Sequence, residues 1–310
     1  MDDHAVKVTV FTPTYNRCAL IPRLYASLCR QTDMSFEWVV VDQGQDDTEM
    51  LVKGYAKEAP FPVVYRRITG ERGIGRAMND MLGVARGELM LKVDDDDILT
   101  DDAIQAVLEM ERTLEHRDGY AGVSGLKVYP DNKTIGGEWT PDAEWIDCTN
   151  LERDRYHLES DKAEAYYLRV LRQYGPIPTV PGEYYTWEAV LWDRIAHAGL
   201  KIRWFNRKIY IAEYLPGGAT DSEIAARSSN FGTFTIYVSE RLLYKEIPFI
   251  RRLILSCRYF ELFRQKGLPV SEINRTFSGT MPMALLGYFG SLATRHIARR
   301  AERHVPIKEG

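Results

Sequence analysis

The sequence predicts an α/β protein with a mostly parallel central sheet, followed by a helical C-terminal extension. Three observations predict it. Short β-branched runs alternate with helical patterns through the first hundred residues. Polar and acidic clusters stand at the ends of those runs, where open α/β sheets bind ligands. From about residue 221 onward the pattern is helical and basic, with no further strand.

The elements follow in order. Residues 6–12 (VKVTVFT) are β-branched and stop at Pro13, so they read as a strand. Residues 20–30 carry Leu20, Leu24 and Leu28 at helical spacing. Residues 37–41 (EWVVV) form a second strand, closed by Asp42-Gln43-Gly44. A helix over 48–57, an edge-like strand over 63–67, a helix over 76–85 and a strand over 89–93 complete the alternation. Beyond it come a helix over 102–115, a strand over 121–129 and a polar stretch over 130–160. Helices over 163–172 and 186–198 flank the Pro-rich 175–181, and 201–211 reads as a strand pair.

With 310 residues, 45% of them hydrophobic, the chain can bury one large core and carry a smaller appendage. Disordered and collagen-like classes are excluded. The net charge of −4 is uneven: residues 241–310 hold 13 Lys and Arg against 5 Asp and Glu. An acidic body argues against nucleic-acid binding, and the basic tail suggests an anionic partner such as a membrane surface. Cys18, Cys29, Cys148 and Cys257 are scattered, and the acidic start is read as lacking a secretory leader, so free thiols in a cytoplasmic protein are expected. The longest uncharged stretch, 276–294, contains Pro282 and small polar residues, and is not read as a spanning helix.

The strongest chemical signal is Asp94-Asp95-Asp96-Asp97, directly after an apolar run. Adjacent carboxylates repel unless a cation or hydrogen bonds offset them. A hard divalent ion shared with substrate phosphates is one compensator, and a solvated turn capping the next helix is the plain alternative. Thr12-Pro13-Thr14-Tyr15-Asn16-Arg17 and Asp42 occupy two further strand ends. Gly70-Glu71-Arg72-Gly73 precedes a helix and brings amides and a guanidinium toward a diphosphate site, or makes a simple turn.

These segments, in this order, together with Gly73-x-x-x-Ala77-x-Asn79 and Ala85-Arg86-Gly87-Glu88, resemble the family 2 glycosyltransferases of the GT-A fold over roughly residues 5–215. The resemblance implies a Rossmann-like nucleotide-diphospho-sugar-binding sandwich over about 1–225. Its nucleotide half would be about 1–100 and its acceptor half about 101–225, with 226–310 as the helical extension. It implies inverting, metal-dependent transfer with Mn²⁺ or Mg²⁺, a UDP-sugar as the commonest donor, and a glycan or lipid-linked glycan acceptor in bacterial surface polysaccharide synthesis. Asp94-x-Asp96 corresponds to the family's D-x-D element. Asp96 would ligate the metal, and Asp94 or Asp95 would contact ribose or metal. Thr12, Pro13 and Tyr15 would line the base pocket, Asp42 would hydrogen-bond the base, and Arg72 would lie near the nucleotide.

The family's acceptor-side Glu-Asp pair corresponds to Trp187-Glu188, so Glu188 is the expected general base and Glu183 the runner-up. A first-turn residue favoured by the helix dipole is the alternative role for Glu188. Glu213 stands near the place of a late metal ligand. Trp139, Trp145, Tyr184, Tyr185 and Trp187 are stacking surfaces for sugar or ordinary anchoring aromatics; His157 and His197 read as structural. The tail's Leu, Ile, Phe and Tyr runs interleave with arginines, as in helices that lie peripherally on the inner face of a membrane. A catalytically degenerate binding protein of the same fold, or a sugar nucleotidyltransferase, is the alternative to transfer.

Overall fold

The computed structural model describes residues 5–158, 160–213 and 227–302. The chain divides into two compact units, Met1–Glu223 and Ile224–Gly310.

In the first unit, β1 (Val8–Thr14), β2 (Phe36–Asp42), β3 (Val63–Arg67) and β4 (Leu89–Lys92) pair in parallel in the order β3-β2-β1-β4. Helices α1 (Ile21–Cys29), α2 (Thr48–Glu58) and α3 (Ile74–Val84) connect them. β1 and β2 are almost wholly buried, as an inner parallel strand covered on both faces requires. Val8, Val10, Phe11, Trp38 and Val39 to Val41 have no exposed surface, and each such side chain contributes about 1.5–3 kcal/mol by leaving water. Buried Glu37 at the root of β2 is offset by Thr9 Oγ1 at 2.8 Å and Arg86 Nε at 2.8 Å, both donating to it.

The sheet continues through β8 (Lys162–Tyr167), β6 (Tyr120–Val128), β9 (Lys201–Ile211) and β5 (Ile98–Leu99), with β7 (Trp145–Cys148) also on β9. This half is mixed: β8 runs antiparallel to both β4 and β6, while β6 and β9 are parallel. α4 (Ala103–Arg112), α5 (Leu168–Tyr174) and α6 (Ala189–His197) complete the unit.

Two expectations are corrected. The helix expected over 163–172 is a strand followed by a short helix. Ala and Glu favour a helix locally, but β8 is the strand that joins β4 to β6, and ladder pairing on both sides overrides the propensity. The strand pair expected over 201–211 is one strand. The Asn206-Arg207 interruption is absorbed as a register shift against β6, between Ser124↔Trp204 and Leu126↔Lys208. β7 and β5 gave no sequence signal: β7 is four residues inside a polar stretch, and β5 is two residues adjoining the acidic run.

The second unit contains α7 (Phe231–Leu243), α8 (Phe249–Gln265), α9 (Ser271–Thr276) and α10 (Met281–Glu302). Its core is aromatic: Phe234, Tyr259, Phe260, Phe263 and Phe277 are buried against one another. The expected domain boundary near 225 lies outside the described residues.

Candidate active site

An open cleft of about 980 Å³ lies at the carboxyl ends of β1 and β4. β1 delivers Pro13, Thr14, Tyr15 and Arg17; β4 delivers Lys92 and Asp94 to Asp97. Lys127 follows from the end of β6, Asp161 from the start of β8, and Glu213 from beyond β9. Tyr184 to Glu188 and Trp192, around the start of α6, form the opposite wall.

Each of the four aspartates has a partner within the protein, two of them sharing Arg17. Asp94 lies 3.3 Å from Lys92 Nζ. Desolvation alone would raise its pKa, but Lys92 and Lys127 hold it below its ordinary value. Buried Asp95 accepts from Thr14 Oγ1 at 2.7 Å and Arg17 Nη1 at 2.9 Å; desolvation nevertheless pushes it up. The same Arg17 nitrogen donates to Asp96 at 2.9 Å, so one guanidinium neutralises two neighbours. Asp97 accepts from the Tyr210 hydroxyl at 2.6 Å and the Glu213 amide at 3.0 Å. Desolvation, with the charge of Asp94 adding to it, pushes Asp97 up to about 6.

Glu188 flanks the N-terminus of α6. Its Oε2 accepts from Lys92 Nζ at 3.1 Å, while its buried Oε1 has no hydrogen-bond partner. Glu183 does not line this cleft but a smaller neighbouring pocket of about 460 Å³, with Tyr15, Gln45 and Arg72. Arg72 is stacked between two rings, 4.2 Å from that of Tyr15 and 5.0 Å from that of Tyr184. Its loop is held at both sides. The Gly73 amide donates to Gln43 Oε1 at 2.5 Å, and Arg76 donates to the Glu183 and Val180 carbonyls at 2.7 and 3.0 Å. Gly73 itself is required: its φ is 145°, and a Cβ there would lie 2.5 Å from the Tyr184 carbonyl oxygen.

Two expected base-pocket residues do not reach the cleft. The Thr12 side chain points into the core, where its hydroxyl accepts from Trp38 Nε1 at 3.0 Å. Asp42 is fully buried and accepts from the Gly44 amide and the Tyr65 hydroxyl, each at 2.7 Å. It shapes the turn after β2 and has no exposed surface to offer a ligand. Among the aromatics, Tyr184, Tyr185 and Trp187 line the cleft, whereas Trp145 packs on Phe205 and Trp139 donates to the Ala143 carbonyl.

The expected metal set of Asp94, Asp96 and Glu213 is not gathered into a cage. Each faces its own cation, Glu213 taking Arg23 Nη1 at 2.6 Å. Among the described residues no three His, Cys, Asp or Glu side chains converge. The cleft-facing carboxylate of Asp96 fits a hard divalent ion that draws most of its ligands from phosphate oxygens and water. Arg17, Lys92, Lys127 and Tyr210 were given no role by the sequence reading. The visible signal was Lys92, a lysine inside an apolar run and two residues from the acidic quartet.

The model of glycosyl transferase family 2 matches residues 9–173. The poly(ribitol-phosphate) beta-glucosyltransferase of Bacillus spizizenii is 26% identical over 145 residues, which are 46% of this chain and 23% of that protein. The GalNAc(5)-diNAcBac-PP-undecaprenol beta-1,3-glucosyltransferase of Campylobacter jejuni is 28% identical over 120 residues, 38% of this chain and 37% of that one. Across three of the curated relatives the match spans 34%, 23% and 28% of their own length. The structure of S. aureus TarS 1-349 with UDP-GlcNAc superposes with a TM-score of 0.59 at 18% identity, covering 91% of this chain and 81% of that chain. The mannosyltransferase PcManGT of Pyrobaculum calidifontis with GDP-Man and Mn²⁺ gives 0.53 at 17% identity, covering 93% and 87%. At such identities the likeness is one of fold, and that fold is GT-A. With just over half of its length matched by the family model, on a sheet of that architecture, the chain belongs to glycosyl transferase family 2.

Proposed function

We propose that the protein is an inverting glycosyltransferase that moves a sugar from a nucleoside-diphosphate donor, a UDP-sugar by preference, to a glycan or lipid-linked glycan acceptor. The observation that carries this reading is Glu188. It is a carboxylate with one oxygen fixed by Lys92 and the other unpartnered, in the same cleft as the acidic quartet. A buried carboxylate oxygen without a partner is satisfied when a hydroxyl donates to it, which is what a general base requires of a bound acceptor.

In the proposed reaction the donor lies along the ends of β1 and β4. Tyr15 and Arg72 flank the nucleotide, and Pro13 and Asp95 back it. Glu188 Oε1 takes the proton of the acceptor hydroxyl as that oxygen attacks the anomeric carbon. The diphosphate leaves toward Arg72 and the Asp94 to Asp96 segment. Inversion follows because the attacking oxygen and the leaving group occupy opposite faces of the carbon. When bound at Asp96, Mn²⁺ or Mg²⁺ would neutralise charge on the departing diphosphate. Arg17 donates to both Asp95 and Asp96, which offsets their mutual repulsion and holds that segment in place before a ligand arrives. Trp187 and Trp192, the latter stacked on Tyr166 at 4.2 Å, offer the acceptor an apolar wall. The names of two relatives, a poly(ribitol-phosphate) and a PP-undecaprenol glucosyltransferase, support a bacterial cell-surface acceptor. Mn²⁺ in the mannosyltransferase neighbour supports the divalent ion. We place the enzyme on the cytoplasmic side of the membrane, where nucleotide sugars are made.

Calorimetric titration with UDP, GDP, CDP and ADP, with and without Mn²⁺, tests the donor half. One nucleotide is expected to bind tightly and to be released by chelator. If none binds under either condition, the reading fails.

A further inference from the structure

We propose that the outer face of α8 and α10 seats in the interface of an anionic lipid surface. The two helices pack closely: a Cβ at Gly287 would collide with Ser256, and one at Gly290 would lie 2.8 Å from Cys257 Sγ. Arg264 closes the seam by donating to the Ser291 hydroxyl and carbonyl. With that inner face used, Leu285, Leu286, Phe289 and Leu292 are left outside on α10, Leu286 being 50% and Phe289 62% exposed. On α8, Ile250 and Ile254 are 59% and 45% exposed.

Ile250, Ile254 and Leu286 border one seam, and Leu285, Phe289 and Leu292 continue around the outer side of α10 at i, i+4, i+7 spacing. Ile250, Ile254 and Cys257 follow the i, i+4, i+7 spacing of one stripe, and Leu286 and Gly290 follow i, i+4 on the facing helix. Cys257 meets Gly290, so the two stripes adjoin.

The charge pattern selects the occupant. Residues 276–294 contain no Asp, Glu, Lys or Arg, so the apolar centre on α10 is uncharged. Arg251 and Arg258 are exposed at the side of the α8 stripe, and residues 241–310 carry 13 basic against 5 acidic residues. One exposed carboxylate, Glu261, ends the α8 stripe, and the balance of the rim is cationic, so the face complements acyl chains beneath anionic headgroups. A second copy of the chain would set this positive charge against itself. Among the described residues no helix is long and apolar enough to cross a membrane, so α8 and α10 would lie in the plane of the interface.

The test is co-sedimentation of the full chain with vesicles of phosphatidylcholine, alone or mixed with phosphatidylglycerol. Binding to the mixed vesicles alone is expected, weakening with salt. The pair Leu286→Glu and Phe289→Glu should lower it at least ~10-fold, and Arg251→Glu with Arg258→Glu should lower it as well. Both pairs are on the surface, so an unchanged melting temperature and unchanged nucleotide affinity show that the fold is intact. The proposal is overturned by equal binding to both vesicles, by no binding, or by binding that the Leu286/Phe289 pair leaves unaltered. It is overturned also if that pair converts a dimer to a monomer, which would give the face to a second copy. None of these outcomes bears on donor binding or transfer.

Discussion

Lys92 Nζ reaches from the end of β4 to within 3.1 Å of Glu188 Oε2. The same ammonium lies 3.3 Å from Asp94 Oδ1, so one cation joins the two carboxylate groups to which opposite roles are assigned. Desolvation works against its charge, but the two anions outweigh it and hold its pKa above the ordinary value.

This arrangement separates two variants. Glu188→Gln should retain donor affinity and lose transfer by ~10²-fold or more. Lys92→Met should weaken both, because Asp94 loses the same partner. Calorimetry beside single-turnover transfer reads the two effects apart. Near-normal turnover in Glu188→Gln would remove Glu188 as base.

Asp96→Ala should abolish the chelator-sensitive part of donor binding and, with it, transfer. Arg17→Met should weaken donor binding and lower the melting temperature in the ligand-free protein, since Asp95 and Asp96 then repel without a shared cation. If donor affinity in Asp96→Ala kept its dependence on Mn²⁺, the ion would have to be placed elsewhere.

The first three strands and helices were legible because each carries its own signal, a β-branched run or an apolar stripe that needs no distant partner. β8 was not, because Ala163-Glu164-Ala165 favours a helix until β4 and β6 pair with it. The same limit divides the site. The acidic quartet and Glu188 stand out by composition and spacing. The direction of Thr12 depends on Trp38, and the burial of Asp42 depends on Tyr65, 23 residues further on. Neither contact leaves a local trace.

Asp147 on β7 accepts from Arg203 at 2.8 and 2.7 Å and from the Tyr120 hydroxyl at 2.7 Å, which ties three strands together. Desolvation would raise its pKa, but Arg203 and Tyr120 outweigh that and hold it below its ordinary value. The folded carboxylate therefore binds its proton less tightly than the unfolded one. The stabilisation is complete at neutral pH and is lost as pH falls through the folded value. Asp147→Asn should cost about 2 kcal/mol at neutral pH. Denaturant melts across acid pH should show that cost shrinking; a cost independent of pH would argue against the ion pair.

Cys148 is buried, and desolvation, with Glu152 adding to it, pushes its thiol up to about 12. At pH 8 roughly one molecule in ten thousand would carry the thiolate. Iodoacetamide labelling of the native protein, read by mass spectrometry, should leave Cys148 unmodified until denaturant is added. Rapid native labelling would contradict the burial.

The reversal of direction at β8 has a consequence for engineering. Because β8 runs against its neighbours, it presents its beginning, Asp161, at the end of the sheet where β4 presents its end, Asp94, and β6 presents Lys127. The strands of the proposed donor half join those of the proposed acceptor half through two short ladders, Leu89↔Tyr167 to Leu91↔Ala165 and Ile98↔Ile211 to Leu99↔Tyr210. A library that randomises Asp161 and Trp192 would test whether this side of the cleft sets the acceptor, while leaving untouched the strands of the proposed donor half. A graft of the β8-β6-β9 segment would have to carry both seams.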